Sequence, residues 1–423
     1  LEDAVFIAHS PQGCVGCSIM AVDMYRVGQA HRGVKNIKNP HIIVTNLDQK
    51  SVVFGGENKL RESVKKAVDR YNPKLIFIYA SCASGIIGDD IDAIAMDLQD
   101  EYPETVIVPI HCEGFKSKVC ASGFDAAFIA INKFILKKEK LQKEEGLVNL
   151  FAPTTVSYAD QKEMERMLSL IGIKVNYIPF YSSLEKIKRI PAAQASTSIC
   201  KVFADEFMKT LWEDYEIPYS HTVMPIGIRN TDKWYRGIAK VLGKEDEVEE
   251  IIEREHERIE PLVAELRERL QGKRVFICGG TGRSFAAAAL IDDFGMKLEG
   301  LETPTYDADA QVDIEYLNGI HKDFVVDIAN MQPFEQVNLV NKLKPDAFIG
   351  VPDWAAKLGI PTTHVLDGKR PTMGYDGLLF LGNKIADQLQ NPGFNVKLSE
   401  HVKLPYKDSW YQEDAFKYIT GGR

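Results

Sequence analysis

The chain has 423 residues, of which 45% are hydrophobic and 26% are charged, a composition typical of a globular protein with two or three domains. A net charge of −9 without any run of basic residues argues against a nucleic-acid partner. The sequence shows no signal peptide and no apolar stretch of transmembrane length, so we expect no membrane association. Seven cysteines in so long a chain do not make a disulfide scaffold, so we expect a reducing, cytoplasmic setting in which thiols bind metal or react.

The first predicted domain, residues 1–145, opens with an apolar strand at 4–8 and a loop that carries Cys14 and Cys17. The spacing C-x-x-C lets two sulfurs share a metal, but a redox dithiol or a packed pair fits the same spacing. The sequence starts directly in a strand without a methionine, so we expect a further segment before Leu1.

The stretch 75–115 carries the most information in the chain. A buried strand is predicted at 74–79 and is followed by Cys82, and the next strand, at 105–110, is followed by Cys112. Ligands of an open parallel sheet gather beyond the carboxyl ends of its strands. Two successive strands therefore deliver thiols to the edge where chemistry occurs, although inert, packed thiols are the common alternative.

A charged run at 137–145 predicts the boundary to a second domain, residues 146–271. Strands are predicted at 147–152 and 174–179, and Cys200 directly precedes a helix over 202–215. The domain closes with a long, charged connecting helix over 245–270, which we expect to be interrupted at Pro261.

The third predicted domain, residues 272–423, begins with a strand at 274–278 and a glycine-rich turn formed by Gly279, Gly280 and Gly282. This turn lacks the G-x-G-x-x-G spacing of a dinucleotide site, so a nicotinamide dehydrogenase stays an alternative without other support, and a turn over another cofactor fits as well. Strands alternating with helices throughout predict an α/β fold with three Rossmann-like, doubly wound parallel sheets.

Several motifs in chain order resemble the α subunit of nitrogenase component 1 over essentially the whole chain. They are Gly13-Cys14, the run 53–60, Cys82 with 88–91, the run 108–115, Cys200, His364 and the run 374–377. The resemblance implies three Rossmann-like domains that hold a complex iron–sulfur cofactor between them.

The resemblance also implies a ligand set. Cys14 and Cys82 match two thiolates of the interfacial eight-iron, P-type cluster, whose third α-subunit cysteine would lie upstream of this sequence. Cys112 matches a nearby family cysteine that is not a ligand. Cys200 and His364 match the two protein ligands of the active-site cofactor, and thiolate and imidazole are ordinary ligands of iron–sulfur sites.

The chain departs from the family around that cofactor. The family's glutamine and histidine after the Cys-Glu-Gly-Phe motif become Cys120 and Phe124, and the arginine of the glycine-rich turn becomes Gly282. No lysine stands near 352–353 to anchor homocitrate, and the histidine before the late Gly-Tyr-Asp-Gly motif is Met373. Phe124, Met373 and the three glycines of the turn are therefore expected to line a drier cofactor site.

These losses favour a nitrogenase-like reductase of a small molecule, with reductive C–S cleavage of methylthio-alkanes as the preferred activity and an iron-only cofactor without homocitrate. The alternatives are a true molybdenum, vanadium or iron-only nitrogenase α subunit and a cofactor-assembly scaffold. We expect a β-like subunit in an α2β2 core. We also expect an ATP-hydrolysing iron protein, because the chain has no P-loop of its own.

Overall fold

The computed structural model describes residues 1–16, 18–117, 121–153, 156–221, 223–304, 306, 308–329, 332–350 and 354–417. The chain divides into two compact units, residues 1–158 with 172–222 and residues 159–171 with 223–423. Among the helices in these ranges, none combines the length and the apolar character needed to cross a membrane.

The first unit contains a four-stranded parallel sheet in the order β2-β1-β3-β4. Its strands are β1 (Ala4–His9), β2 (His41–Val44), β3 (Leu75–Ala80) and β4 (Val106–Ile110). The helices that belong to this sheet are α1 (Ser18–His31), α2 (Gln49–Phe54), α3 (Glu57–Tyr71), α4 (Cys82–Ile87), α5 (Ile91–Glu101) and α6 (Ala121–Ala130), the last continuing as a π-helical turn, Ile131–Leu136.

A second parallel sheet in the same unit has the order β6-β5-β7. Its strands are β5 (Leu147–Ala152), β6 (Lys174–Pro179) and β7 (Ala195–Ser198), and the associated helices are α8 (Leu184–Lys188) and α9 (Lys201–Tyr215). Helix α7 (Tyr158–Ser169) follows β5 along the chain but belongs, after its first residue, to the second unit. The two sheets share one apolar core, in which the Phe128 ring of α6 lies 4.6 Å from Phe207 of α9 and 5.7 Å from Phe151 of β5. This shared core explains why two sheets form one compact unit.

The second unit contains a five-stranded parallel sheet in the order β10-β9-β8-β11-β12. Its strands are β8 (Arg274–Cys278), β9 (Lys297–Thr303), β10 (Val325–Ile328), β11 (Ala347–Gly350) and β12 (Thr362–Thr363). Besides α7, the helices of this unit are α10 (Ile228–Leu242), α11 (Glu245–Leu270), α12 (Thr281–Asp293), α13 (Ala308–Ile320), α14 (Pro333–Leu343), α15 (Trp354–Lys357), α16 (Gly374–Gln390), α17 (Gly393–His401) and α18 (Asp408–Gln412).

The fold class is confirmed, because every strand pair is parallel and helices connect the strands. Each of the three predicted domain ranges, 1–145, 146–271 and 272–423, contains one of the sheets. The exact boundaries of these ranges stay a prediction.

The expected interruption of α11 is wrong, because the helix runs unbroken from Glu245 to Leu270 with Pro261 inside it. Proline in a helix interior costs about 3 kcal/mol. Eight side chains on one face of α11 are buried, among them Ile252, Ile259 and Val263. Since each large apolar side chain contributes about 1.5–3 kcal/mol on burial, the packed face outweighs the lost hydrogen bond.

Candidate functional site

Two of the predicted thiols lie at the same edge of the first sheet. Cys14 lies in a 3-10 turn, Gln12–Val15, after β1, and Cys82 is the first residue of α4, after β3. β1 and β3 are neighbouring parallel strands, and the strand order changes direction between them because β2 lies on the other side of β1. Open α/β sheets bind ligands at such a switch point. Both cysteines are exposed and free, which leaves their sulfurs available to a ligand.

The surroundings of Cys82 hold its helix and leave the thiol accessible. Ser81 caps α4 by accepting the N–H of Ser84, and the Ser81 hydroxyl donates to the backbone oxygen of His9 at 2.9 Å. A Cβ atom added at Gly114 would lie 3.4 Å from the sulfur of Cys82. The loop after β4 therefore passes directly beside the thiol and has a glycine at the point of contact.

Cys112, by contrast, is a half-buried thiol whose sulfur donates to the backbone oxygen of Ala80 at 3.4 Å. Burial, aided by the neighbouring charge of Glu113, raises the pKa of Cys112 to about 11. The thiol is therefore protonated at neutral pH, whereas metals bind the thiolate. Unlike the two exposed thiols at the same edge of the sheet, it is half-buried.

A buried histidine–carboxylate pair connects the two thiol-bearing loops. His9, the last residue of β1, is fully buried, and its Nε2 lies 2.9 Å from Oδ2 of Asp89, just beyond α4. The other ring nitrogen lies 3.1 Å from the hydroxyl of Thr45, and Asp89 also accepts the backbone N–H of Gly56 at 3.0 Å. Burial lowers the pKa of His9, and the hydrogen bond to Asp89 opposes that shift. The neutral imidazole thus joins the ends of β1 and α4.

We expect Asp89→Ala to destabilise the first unit by about 1–3 kcal/mol, because it leaves His9 Nε2 and the N–H of Gly56 buried without an acceptor. Asp89→Asn is the matched control, since its carboxamide oxygen can still accept one of these bonds. Urea unfolding followed by circular dichroism measures both variants. Equal stability of Asp89→Ala and the unaltered protein would contradict this assignment.

Cys200 lies at the switch point of the second sheet, between the ends of β5 and β7, and is the N-terminal cap residue of α9. Its backbone N–H donates to the hydroxyl of Ser198 at 3.3 Å, which fixes the turn out of β7. The half-buried Cys200 and Phe124 pack against the same apolar core, and the Phe124 ring meets Phe203 edge to face at 4.7 Å. The structure therefore places Cys200 in aromatic surroundings.

In the second unit, the glycine-rich turn and the loop of His364 are linked. Gly279 follows β8, Gly280 caps α12, and Gly282 is the second residue of that helix. Arg283 is buried, and its guanidinium donates to the backbone oxygen of Val365 at 2.8 Å. A Cβ atom added at Gly280 would meet nothing within 4 Å, so the packing of the protein does not require glycine there. The close approach of a bound group to the backbone would require it.

The remaining predicted site residues are placed as follows. His364 is half-buried directly after β12, and Met373 is fully buried as the cap residue of α16. Cys17, Cys120 and residues 352–353 lie outside the described residues. Within the described ranges, no three histidine, cysteine, aspartate or glutamate side chains converge as a metal site.

Sequence reasoning missed a buried acidic group beside the glycine-rich turn. Glu302 of β9 accepts the thiol of Cys278 at 3.2 Å, and Asp327 of β10 lies opposite it in the register. Burial raises the pKa of Glu302 to about 7 and that of Asp327 to about 6, and it also raises the pKa of the Cys278 thiol. No sequence signal reveals this group, because it depends on the register of three strands.

The raised pKa of Glu302 predicts that the stability of the second unit depends on pH. Its folded pKa, about 7, exceeds the ordinary value of 4.5, so the folded protein holds a proton that the unfolded chain releases. The stability contributed by this proton is present below pH 4.5 and is lost as the pH rises to about 7. Glu302→Gln should therefore gain up to about 3 kcal/mol over the unaltered protein at pH 8 and almost nothing at pH 4.5. Unfolding curves at both pH values measure the difference, and a pH-independent difference would contradict it.

Comparisons with known proteins agree on one family. The family model for nitrogenase component 1 type oxidoreductases matches residues 1–390. The chain is 27% identical to the nitrogenase iron-molybdenum cofactor biosynthesis protein NifE of Rippkaea orientalis, over 98% of this chain and 86% of that protein. It is 25% identical to the nitrogenase molybdenum-iron protein alpha chain of Methanococcus maripaludis, over 94% of this chain and 84% of that protein. The solved structure described as nitrogenase Cp1 at pH 5 superposes with a TM-score of 0.76 at 23% identity, over 96% of this chain and 87% of that one, which shows a shared fold.

Proposed function

Because the chain belongs to the nitrogenase component 1 type oxidoreductase family, we propose that it is the α-type subunit of a nitrogenase-like reductase, which uses iron–sulfur clusters for low-potential, multi-electron reduction. The observation that carries the proposal is the pair of exposed, free thiols, Cys14 and Cys82, at one switch point of the first sheet. Iron–sulfur clusters are held by thiolates of this kind.

The surface beside these thiols supports an interfacial, eight-iron cluster shared with a β-like partner. Helix α2 packs against α4, the helix that begins with Cys82. Val53 and Phe54 of α2 are 72% and 79% exposed, and Ile86 of α4 is 78% exposed. Adjacent exposed apolar side chains are typical of the buried core of a subunit interface. We therefore propose a β-like subunit in an α2β2 core and an ATP-hydrolysing iron protein as the electron source.

The active-site cofactor would be held by Cys200 at one end and His364 at the other. The half-buried thiol of Cys200, in aromatic surroundings, and the half-buried imidazole of His364 fit a thiolate and a nitrogen ligand of an iron–sulfur group. The open space at Gly280 fits the close approach of such a group. When bound, the cofactor would supply electrons at low potential. Phe124 and Met373, apolar side chains where the family carries imidazoles, would limit the water beside it.

We propose reductive C–S cleavage of a methylthio-alkane as the reaction, with an iron-only cofactor that lacks homocitrate. Two electrons and two protons would convert R–S–CH3 into RH and CH3SH. Support comes from Phe124, which stands where the family carries an imidazole and packs edge to face on Phe203. An aromatic surface at this point favours a weakly polar, sulfur-containing substrate over one that requires many delivered protons.

A second candidate function is a cofactor-assembly subunit. The observation that favours it is the match to NifE proteins, whose identities of 27–28% are slightly higher than the 25–26% identities to nitrogenase alpha chains. His364 argues against it, because a second ligand would retain a cofactor that a scaffold has to release.

The experiment that tests the proposal uses the complex produced anaerobically with its β-like partner and iron protein. With ATP and dimethyl sulfide, we expect equal amounts of methane and methanethiol, and iron far above four atoms per α-type subunit. Omitting ATP or the iron protein is the control and should abolish both products. Ammonia formation from dinitrogen would identify a true nitrogenase. Transfer of the cofactor to an acceptor protein without turnover would identify an assembly subunit.

A further inference from the structure

An apolar cavity of about 180 Å³ lies in the first unit beside the turn of Cys200. Every described residue that lines it has an apolar side chain, and its aromatic part consists of Phe6, Phe77, Phe124, Phe128, Phe180 and Phe203. An apolar space of about this volume is large enough for a molecule of about the size of benzene. The cavity is therefore suited to a small, neutral ligand and offers nothing to a charged one.

Phe203, which lines the cavity, is close along the chain to Cys200, the predicted cofactor cysteine. Phe203 follows Cys200 by less than one helical turn, and its backbone N–H donates to the backbone oxygen of Cys200 at 3.1 Å. The Phe203 ring contacts Phe124 at 4.7 Å and Phe180 at 6.3 Å between centroids. Phe203 therefore connects the wall of the cavity to the turn that carries Cys200.

A neighbouring cavity of about 240 Å³ shares Leu1, Phe6 and Phe180 with the first. It is also lined by Tyr25 and Tyr181, whose rings stack at 5.3 Å. Tyr25 and Tyr181 give this second space side chains that carry a polar atom, whereas every described residue that lines the first has an apolar side chain.

We propose that the 180 Å³ cavity is a binding site for a small thioether. Sulfur makes favourable contacts with aromatic rings at about 5 Å, and six phenylalanines surround this space, so a thioether gains contacts here that a more polar molecule cannot replace. A sulfoxide of the same size carries a strong acceptor oxygen that would lose its water without any replacement donor. The choice of a thioether rests on the proposed function, whereas the existence of the site rests on the cavity alone.

Binding of dimethyl sulfide to the resting complex, without ATP, tests the site by saturation-transfer NMR. A ligand of three heavy atoms reaches a Kd of about 1 mM at best, so the titration extends to about 50 mM. We expect saturable binding of dimethyl sulfide and at least about tenfold weaker binding of dimethyl sulfoxide. Equal binding of the two, or absence of saturable binding of dimethyl sulfide, would overturn the proposal.

Ala127→Leu tests whether the ligand binds in this cavity, because Ala127 lines the cavity and a leucine at this position would fill part of it. We expect at least about tenfold weaker binding of dimethyl sulfide to this variant. Ala126→Leu is the matched control, since Ala126 is its half-buried neighbour on α6 but does not line the cavity, and its binding should be unchanged. Equal effects of the two substitutions would overturn the location.

If Ala127→Leu does not fold, Phe124→Ala tests the same space in the opposite sense. This variant enlarges the cavity and should bind the larger thioether thioanisole more tightly than the unaltered protein does, and unchanged binding would contradict the proposal. The binding assay also separates the site from the reaction. Binding without C–S cleavage would keep the site and refute the activity, whereas cleavage by a complex whose dimethyl sulfide binding is not weakened by Ala127→Leu would keep the activity and refute the site.

Discussion

Replacing Cys200 by serine is expected to remove the active-site cofactor and lower reductase activity by at least about 100-fold. Removing groups that only support metal ligands costs about 10- to 100-fold, so loss of one of two direct protein ligands should cost at least as much. A serine hydroxyl is a poor substitute, because thiolate is the ligand that iron–sulfur groups prefer. His364→Ala should have the same result, because it removes the other of the two proposed protein ligands.

Iron analysis and electron paramagnetic resonance of the anaerobically purified complex measure this loss. The signal of the interfacial cluster should persist in both variants, because Cys14 and Cys82 lie on the first sheet and Cys200 on the second. Cys112→Ser is the matched control, since it alters a half-buried thiol that is protonated and hydrogen-bonded to Ala80. Full cofactor content in Cys200→Ser would refute the ligand assignment.

Replacing Cys82 by alanine is expected to abolish the signal of the interfacial cluster and to lower turnover by about 100-fold, while the chain still folds. Folding should survive because Cys82 is exposed and occupies the first position of a helix, where alanine is a good helix former. The cap formed by Ser81 is independent of the thiol. Electron delivery should fail because the thiolate is a direct ligand of the proposed relay cluster.

The measurement compares turnover driven by the iron protein and ATP with the content of the active-site cofactor. Cys82→Ala should retain that cofactor and lose electron delivery, which is the reverse of the pattern expected for Cys200→Ser. Cys112→Ala, at the neighbouring strand end, should retain both clusters. An intact interfacial cluster in Cys82→Ala would exclude this cysteine as a ligand.

The variants of the cofactor ligands, Cys200→Ser and His364→Ala, and that of the cluster ligand, Cys82→Ala, also separate the candidate functions. A reductase requires both the interfacial cluster and the cofactor, so each of the three variants should strongly lower product formation. An assembly subunit would respond to Cys200→Ser by losing its cargo and would show no turnover to lose. Methane formed from dimethyl sulfide by the unaltered complex therefore decides how each variant is to be interpreted.

The sequence alone was sufficient for the fold class and for the positions of the thiols along the chain. Short apolar strands followed by glycine or by small residues, as at 75–82 and 274–280, have a local signature, and parallel strands place their carboxyl ends at one edge. This is why Cys14 and Cys82 could be assigned to a sheet edge, where the structure has them. The predicted interruption at Pro261 is wrong because the rule that proline breaks a helix considers only the local sequence. In α11 the packing of a whole helix face prevails over it.

Only the tertiary structure decided which side chains meet. His9 and Asp89 are 80 residues apart, and Arg283 contacts the oxygen of a residue 82 positions later. The aromatic cavity beside Phe203 and the raised pKa of Glu302 likewise arise from elements that are distant along the chain. Periodicity reports which face of an element is buried, but not its partner. The partner depends on strand register and helix packing, which are properties of the folded chain as a whole.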